Sequence, residues 1–192
     1  MRRRNGLSFA KRRKTISSEI VKEIFSWIFG SLACIFIAFV LVYSVGMKTT
    51  VIGVSMENTL YNGQEILVNR IKGKTLPPHI GDVVVFYPNG NKNTHYYVKR
   101  VVAGPGDRVQ IKNGILYVNR EIVEYGFDKI ADPGIAENEL KLEQNEYFVM
   151  GDNCNNSEDS RSGNIGLVKR NTIEGTAWLH LPKAGRGIGF IH

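Results

Sequence analysis

A mainly β domain behind a single apolar N-terminal helix is the fold class the sequence predicts, and three observations predict it. Residues 24 to 46 run without a charged side chain. Beyond Met47 the continuous apolar run breaks into short apolar stretches divided by Gly, Pro and Asn, the pattern of a sheet-rich domain. The chain offers no second helix-period segment of convincing length.

The uncharged run, IFSWIFGSLACIFIAFVLVYSVG, is 23 residues long. At about 1.5 Å per residue it crosses a hydrocarbon core. A cleaved secretory signal is the competing reading, but its apolar core is about 7–15 residues long and ends at a small-residue site. Here Tyr43-Ser44-Val45-Gly46-Met47 is a weak site, so the run reads as an uncleaved anchor. The net charge of +7 is concentrated ahead of it, in Arg2, Arg3, Arg4, Lys11, Arg12, Arg13, Lys14 and Lys22 against Glu19 and Glu23. A basic cluster before an apolar span predicts a cytoplasmic tail over 1–23, an anchor over 24–46 and an extracytoplasmic domain over 47–192 at the plasma membrane. The same tail can bind anionic membrane lipid. No nucleic-acid recognition motif follows it, so nucleic acid is not the expected partner.

Seven strands are predicted: Glu65–Ile71, Asp82–Tyr87, Tyr96–Ala103, Arg108–Ile111, Ile115–Val118, Tyr147–Met150 and Gly175–Leu181. Gly104-Pro105-Gly106-Asp107 should reverse the chain, and Asn113-Gly114 is a strong type I′ hairpin signal. Residues 124–144, acidic and irregular, read as a surface excursion or small cap. Cys34 falls in the anchor and Cys154 in the outer domain, so the fold must hold without a disulfide between them.

Two residues are the candidates for chemistry. Ser55 stands where an extended segment meets a turn-rich one, and Gly53 before it allows a second chain to approach closely. Lys99 lies in the apolar strand Tyr97-Val98-Lys99-Arg100-Val101-Val102, where alternation puts it on the face of Tyr97 and Val101. A lysine on such a face either extends its ammonium to water or loses its proton by desolvation, with Arg100 pushing the same way. A serine hydroxyl becomes a strong nucleophile when a neighbouring base takes its proton, and a neutral lysine can be that base. The polar loop Gly151-Asp152-Asn153-Cys154-Asn155-Asn156-Ser157-Glu158-Asp159-Ser160-Arg161 follows a buried-looking strand. It can orient a base by hydrogen bonds, while Asp159 and Arg161 look like a structural ion pair. It lacks the spacing and flanking helices of an EF-hand, and no metal is expected.

In order along the chain, Ser55-Met56-Glu57-Asn58-Thr59-Leu60, Gly81 to Phe86, Tyr97 to Asp107, and Gly151-Asp152-Asn153 through Ser157, Asp159, Ser160 and Arg161 resemble the type I signal peptidases, in their short, Gram-positive-like form. These are membrane-anchored serine endopeptidases that remove signal peptides from exported precursors. The resemblance implies Ser55 as nucleophile, Lys99 as general base, and Ser157 as the hydroxyl orienting the lysine. It places the oxyanion site at the Ser55 N–H, with Gly53 where some members offer a serine hydroxyl. It lays an extended substrate between Val51-Ile52-Gly53-Val54 and Tyr96-Tyr97-Val98, with small side chains at the first and third positions before the cut. It implies a mostly antiparallel β domain resting an apolar rim on the outer leaflet, and neither metal nor nucleotide cofactor. Three positions depart from the pattern: Asn58 stands for a proline, Gly53 for that serine, and Cys154 for an arginine. Asn58 and Cys154 motivate an alternative, a pilin-dedicated or non-cleaving assembly factor acting on pilin or other surface-protein precursors.

Overall fold

The computed structural model describes residues 17–123, 129–183 and 185–191. It divides into two compact units that meet in sequence at Val40 and Leu41. Of the basic tail, residues 1–16 lie outside the described residues.

Helix α1, Ser18–Val45, starts earlier than the uncharged run because its N-terminus is capped. Ile20 N donates to Ser17 Oγ at 3.4 Å, and Glu19 in the first turn faces the positive end of the helix dipole. The helix buries none of its residues, and it is long and apolar enough to cross a membrane.

All named strand pairs of the second unit are antiparallel. Its larger sheet contains β1 (Met47–Thr50), β2 (Glu65–Asn69), β3 (Val83–Phe86), β4 (Tyr97–Ala103), β9 (Glu146–Met150), β10 (Val168–Lys169), β11 (Ile173–His180) and β12 (Gly189–Phe190). The order is β1-β2-β11-β3-β4-β9-β10, with β12 added to β11. A smaller sheet, β7-β6-β5-β8, is made from β5 (Arg108–Lys112), β6 (Ile115–Val118), β7 (Glu121–Ile122) and β8 (Leu140–Lys141). The β5–β6 hairpin turns at Asn113 (φ 56°) and Gly114 (φ 78°), the double positive φ of a type I′ turn. Gly104-Pro105-Gly106-Asp107 closes through Asp107 N to Gly104 O at 3.1 Å, and the Asp107 carboxylate accepts from Gly104 N at 2.8 Å.

All seven predicted strands are present with ends shifted by a residue or two. β1, β7, β8, β10 and β12 escape the sequence because they are two to four residues long and owe their existence to a paired neighbour. Of the acidic stretch, Ile130, Ala136 and Leu142 are buried in the cluster with Val109, Ile111 and Leu116, and β8 pairs with β5; residues 124–128 lie outside the described residues.

For function the central fact is the placing of β4. It lies between β3 and β9, and six of its seven residues are buried. β3 covers it from Tyr97 to Arg100, whereas pairing with β9 runs only from Arg100, opposite Met150, to Ala103. On the β9 side, therefore, the edge from Tyr97 to Lys99 has no strand beside it among the described residues.

Candidate active site

β9 ends at Met150, and the chain turns off the sheet at Gly151. A Cβ on Gly151 would stand 2.4 Å from Ser55 O, so only glycine lets this loop reach the Ser55 segment. The two are then joined: Asn153 N donates to Ser55 O at 3.0 Å and Asn153 Nδ2 to Val54 O at 3.3 Å. On the other side of Ser55, the turn at 56–60 is fastened by Leu60 N to Met56 O at 2.7 Å, with Met56 and Leu60 fully buried. Two buried side chains and two loop bonds thus hold the serine from both sides.

Between them, Lys99 Nζ lies 2.5 Å from Ser55 Oγ. Lys99 is only 4 % exposed. Burial pushes its amine down to about 8 from an ordinary value of 10.5; Arg161 lowers it further, while Asp159, Glu158 and Asp152 work in the opposite direction. Arg100, read from the sequence as a second depressing charge, turns into a bidentate pair with Asp152, Nε to Oδ1 at 2.8 Å and Nη2 to Oδ2 at 2.7 Å. Its Nη1 donates to Gly81 O at 2.8 Å. Sequence reasoning assigned Asp152 no role, yet it is the anion that neutralises this buried guanidinium.

Asp159, fully buried, accepts from Arg161 Nε at 2.8 Å and Nη2 at 2.9 Å, and from Gly151 N at 3.1 Å. Arg161 reaches on to the carbonyls of Asp132 and Cys154. This pair ties both ends of the 151–161 loop together. Ser157 Oγ is buried beside Gly151 and has no hydrogen-bond partner among the described residues, so the bond to Lys99 that the resemblance implies is not made in this structure.

The Ser55 N–H makes no hydrogen bond among the described residues. Gly53 N is committed to Asn62 Oδ1 at 3.0 Å, and Gly53 sits at φ 89°, where a side chain is strained. Asn58 also has a left-handed φ of 89°, a value closed to proline. Of the remaining residues assigned to substrate, Ile52 and Val54 are exposed, whereas Val51 and Val98 are buried together in one apolar cluster. Val51 N donates to Gln64 O and Val51 O accepts from Gly63 N, so its backbone is already used. Tyr96 packs on Tyr87 at 4.4 Å between ring centroids, and burial together with that neighbour pushes its hydroxyl up to about 12. Tyr97 stands over the amine, with Lys99 Nζ 5.6 Å from its ring centroid.

A depression of about 770 Å³ is lined by opposed charges such as Lys74, Glu146, Arg170 and Glu174 and includes no residue of this site. Ser55 lies instead in a turn beside Lys99, whose strand is uncovered on the β9 side from Tyr97 to Lys99. Among the described residues no group of His, Cys, Asp or Glu is placed to hold a metal.

Residues 23–181 match the family described as signal peptidase, peptidase S26. The chain belongs to that family. It is 36% identical over 141 residues to signal peptidase I of Bacillus amyloliquefaciens, covering 65% of this chain and 68% of the relative. It is 35% identical over 175 residues to signal peptidase IB of Staphylococcus aureus strain COL, covering 80% and 87%. A crystal structure of a signal peptidase I from Enterococcus faecalis V583 aligns over 52% of this chain and 96% of its own, at 25% identity and a TM-score of 0.40. This type I signal peptidase is therefore a peptidase of precursor processing, carrying one N-terminal helix able to span a membrane.

Proposed function

We propose that this signal peptidase cuts through a serine–lysine dyad in which neutral Lys99 takes the proton of Ser55 as Ser55 Oγ attacks the scissile carbonyl. The observation that carries the reading is the 2.5 Å approach of a buried, depressed lysine amine to the serine hydroxyl. In the tetrahedral intermediate the carbonyl oxygen becomes negative and the Ser55 N–H is the donor open to it. The Lys99 ammonium then gives its proton to the leaving amine, an acyl-enzyme remains on Ser55, and water activated by the regenerated amine releases the product. Ser157, whose buried hydroxyl lacks a partner, is the group we assign to hold the lysine when Ser55 is acylated. Asp159 and Arg161 serve as the structural pair of the loop.

The substrate is the signal-peptide end of an exported precursor, bound extended. Its backbone pairs with the uncovered β4 edge from Tyr97 to Lys99 on one side and with Ile52-Gly53-Val54 on the other. Val51 and Val98, being buried, shape the floor of this cleft, and its shallowness favours small residues in an Ala-X-Ala-like pattern. The basic tail lies in the cytoplasm and the β domain outside, at the lipid surface. The comparisons favour a peptidase over a non-cleaving assembly factor, and a pilin precursor enters only as a dedicated substrate of that peptidase.

The test uses the detergent-solubilised full chain and a precursor with an Ala-X-Ala site. Native protein cleaves at that bond, with kcat/KM rising through a midpoint near pH 8 because the base must be neutral. Folded Ser55→Ala and Lys99→Ala lose activity by more than about 10³. Residual cleavage at native rate by either variant, or a flat native profile between pH 7 and 9, refutes the dyad.

A further inference from the structure

Glu158 lies between Ser157 and Asp159 in the polar loop, and neither the ion pair nor the dyad makes use of it. Its side chain is nevertheless directed at the site. Tyr97 Oη donates to Glu158 Oε2 at 3.0 Å, and Asn164 Nδ2 donates to Glu158 Oε1 at 3.4 Å, so both carboxylate oxygens are engaged. The other contacts of the Tyr97 ring include His95, stacked at 5.4 Å and 19°, and Lys99 Nζ at 5.6 Å.

We propose that Glu158 is a positioning residue of the reaction: through the Tyr97 hydroxyl it fixes the Tyr97 ring across the Lys99 amine, so that ring face and carboxylate together receive the ammonium formed when Ser55 loses its proton. This rests on Lys99 acting as the base.

The chemical logic is differential. Neutral Lys99 gains little from a π-face or a nearby anion, but the ammonium present in the transition state gains from both. On β3 the cross-strand partner of Lys99 is Val84, and from the Ser55 segment a hydroxyl meets its amine. From the loop it faces Asp152 and Asp159, already paired with Arg100 and Arg161, and Arg161 itself repels it. Glu158 is the anion of this set that has no guanidinium partner. It counts among the groups that hold the amine's proton affinity up against burial. Tyr97 hydrogen-bonding to a carboxylate also stays a neutral donor, its own hydroxyl being raised by burial first and by Glu158 second.

The test is the pH dependence of kcat/KM and of kcat for the full chain in detergent. Glu158 is exposed, so Glu158→Gln, which keeps a hydrogen-bond acceptor for Tyr97 but no charge, is expected to fold normally. Its midpoint should move to lower pH by about half a unit, the size of an exposed charge interaction, while the alkaline plateau of kcat falls about twofold because the weaker base also stabilises less charge. Glu158→Asp, retaining the charge, should return the midpoint towards native. In a Tyr97→Leu background Glu158→Gln should lower the plateau less than it does with Tyr97 in place. A Glu158→Gln profile that superimposes on native overturns the proposal, as does a uniform loss with an unmoved midpoint or a change confined to KM. If instead the native enzyme itself shows no limb near pH 8, it is the dyad that fails.

Discussion

Replacing Gly151 by alanine puts a methyl group where the structure has no room for one. The new Cβ would stand 2.3 Å from Ser157 Oγ, 2.7 Å from Ser157 Cβ and 2.4 Å from the Ser55 carbonyl oxygen. The Ser157 hydroxyl can rotate away at little cost, but the carbonyl is backbone. Ordinary contact begins at 3.4 Å, so Ser55 O or the loop must retreat by about 1 Å. That movement stretches the Asn153 N to Ser55 O bond and displaces the serine from the lysine amine. Misplacing a reacting group by about 1 Å costs on the order of 10² in rate, and overpacking of this kind costs about 1–3 kcal/mol in stability. Gly163 is the control: nothing lies within 4 Å of its Cβ position and its φ is not left-handed, so Gly163→Ala should leave both quantities unchanged. The assay is steady-state cleavage of a fluorogenic signal-peptide substrate beside thermal unfolding of the same preparations. Gly151→Ala protein with native kcat/KM would show that the loop does not set the nucleophile's position, and the role of the Asn153 bonds in holding Ser55 would fall with it.

Three further outcomes follow from the same geometry. Lys99 is protonated in the unfolded chain up to about pH 10.5 but in the folded chain only to about pH 8, so between those values folding releases a proton and stability rises with pH. Lys99→Met should therefore be inactive yet more stable than native at pH 7, by up to about 3 kcal/mol, with the gain shrinking above pH 8; chemical denaturation at pH 7 and 9.5 checks this, and a gain independent of pH refutes it. Arg161→Met leaves Asp159 charged and wholly buried, which should cost about 3–5 kcal/mol and show as a fall in unfolding midpoint larger than that of Arg108→Met at the exposed pair with Glu139. Asn58→Gly should be tolerated at φ 89°, whereas Asn58→Pro should lower stability by more than about 1 kcal/mol, even though the family resemblance implies proline at this place; unchanged melting of the proline variant would contradict a left-handed turn at Asn58.

Much of the fold was legible because its signals are local. A run of 23 uncharged residues needs no partner to declare a helix long and apolar enough to cross a membrane, and Asn113-Gly114 fixes a hairpin by its own φ preferences. Strands such as β4 carry enough Val and Tyr to be read alone. β1, Met-Lys-Thr-Thr, and β8, Leu-Lys, do not, because they become strands only through the hydrogen bonds of β2 and β5. The pairing of Asp159 with Arg161 was likewise legible, as was the burial of Lys99 on an apolar strand face.

What the sequence by itself determined is the inventory: one anchor-like helix, a β domain, a serine, a lysine and a polar loop in a given order. Only the tertiary structure decided that Lys99 reaches Ser55 while its neighbour Arg100 is claimed by Asp152, that Gly53 spends its amide on Asn62, and that Glu158 touches Tyr97. The reason is physical. Helix and turn preferences act within a few residues, whereas burial and hydrogen bonding between residues 44 to 61 positions apart exist only after β9 leaves the sheet at Gly151 and uncovers the edge of β4.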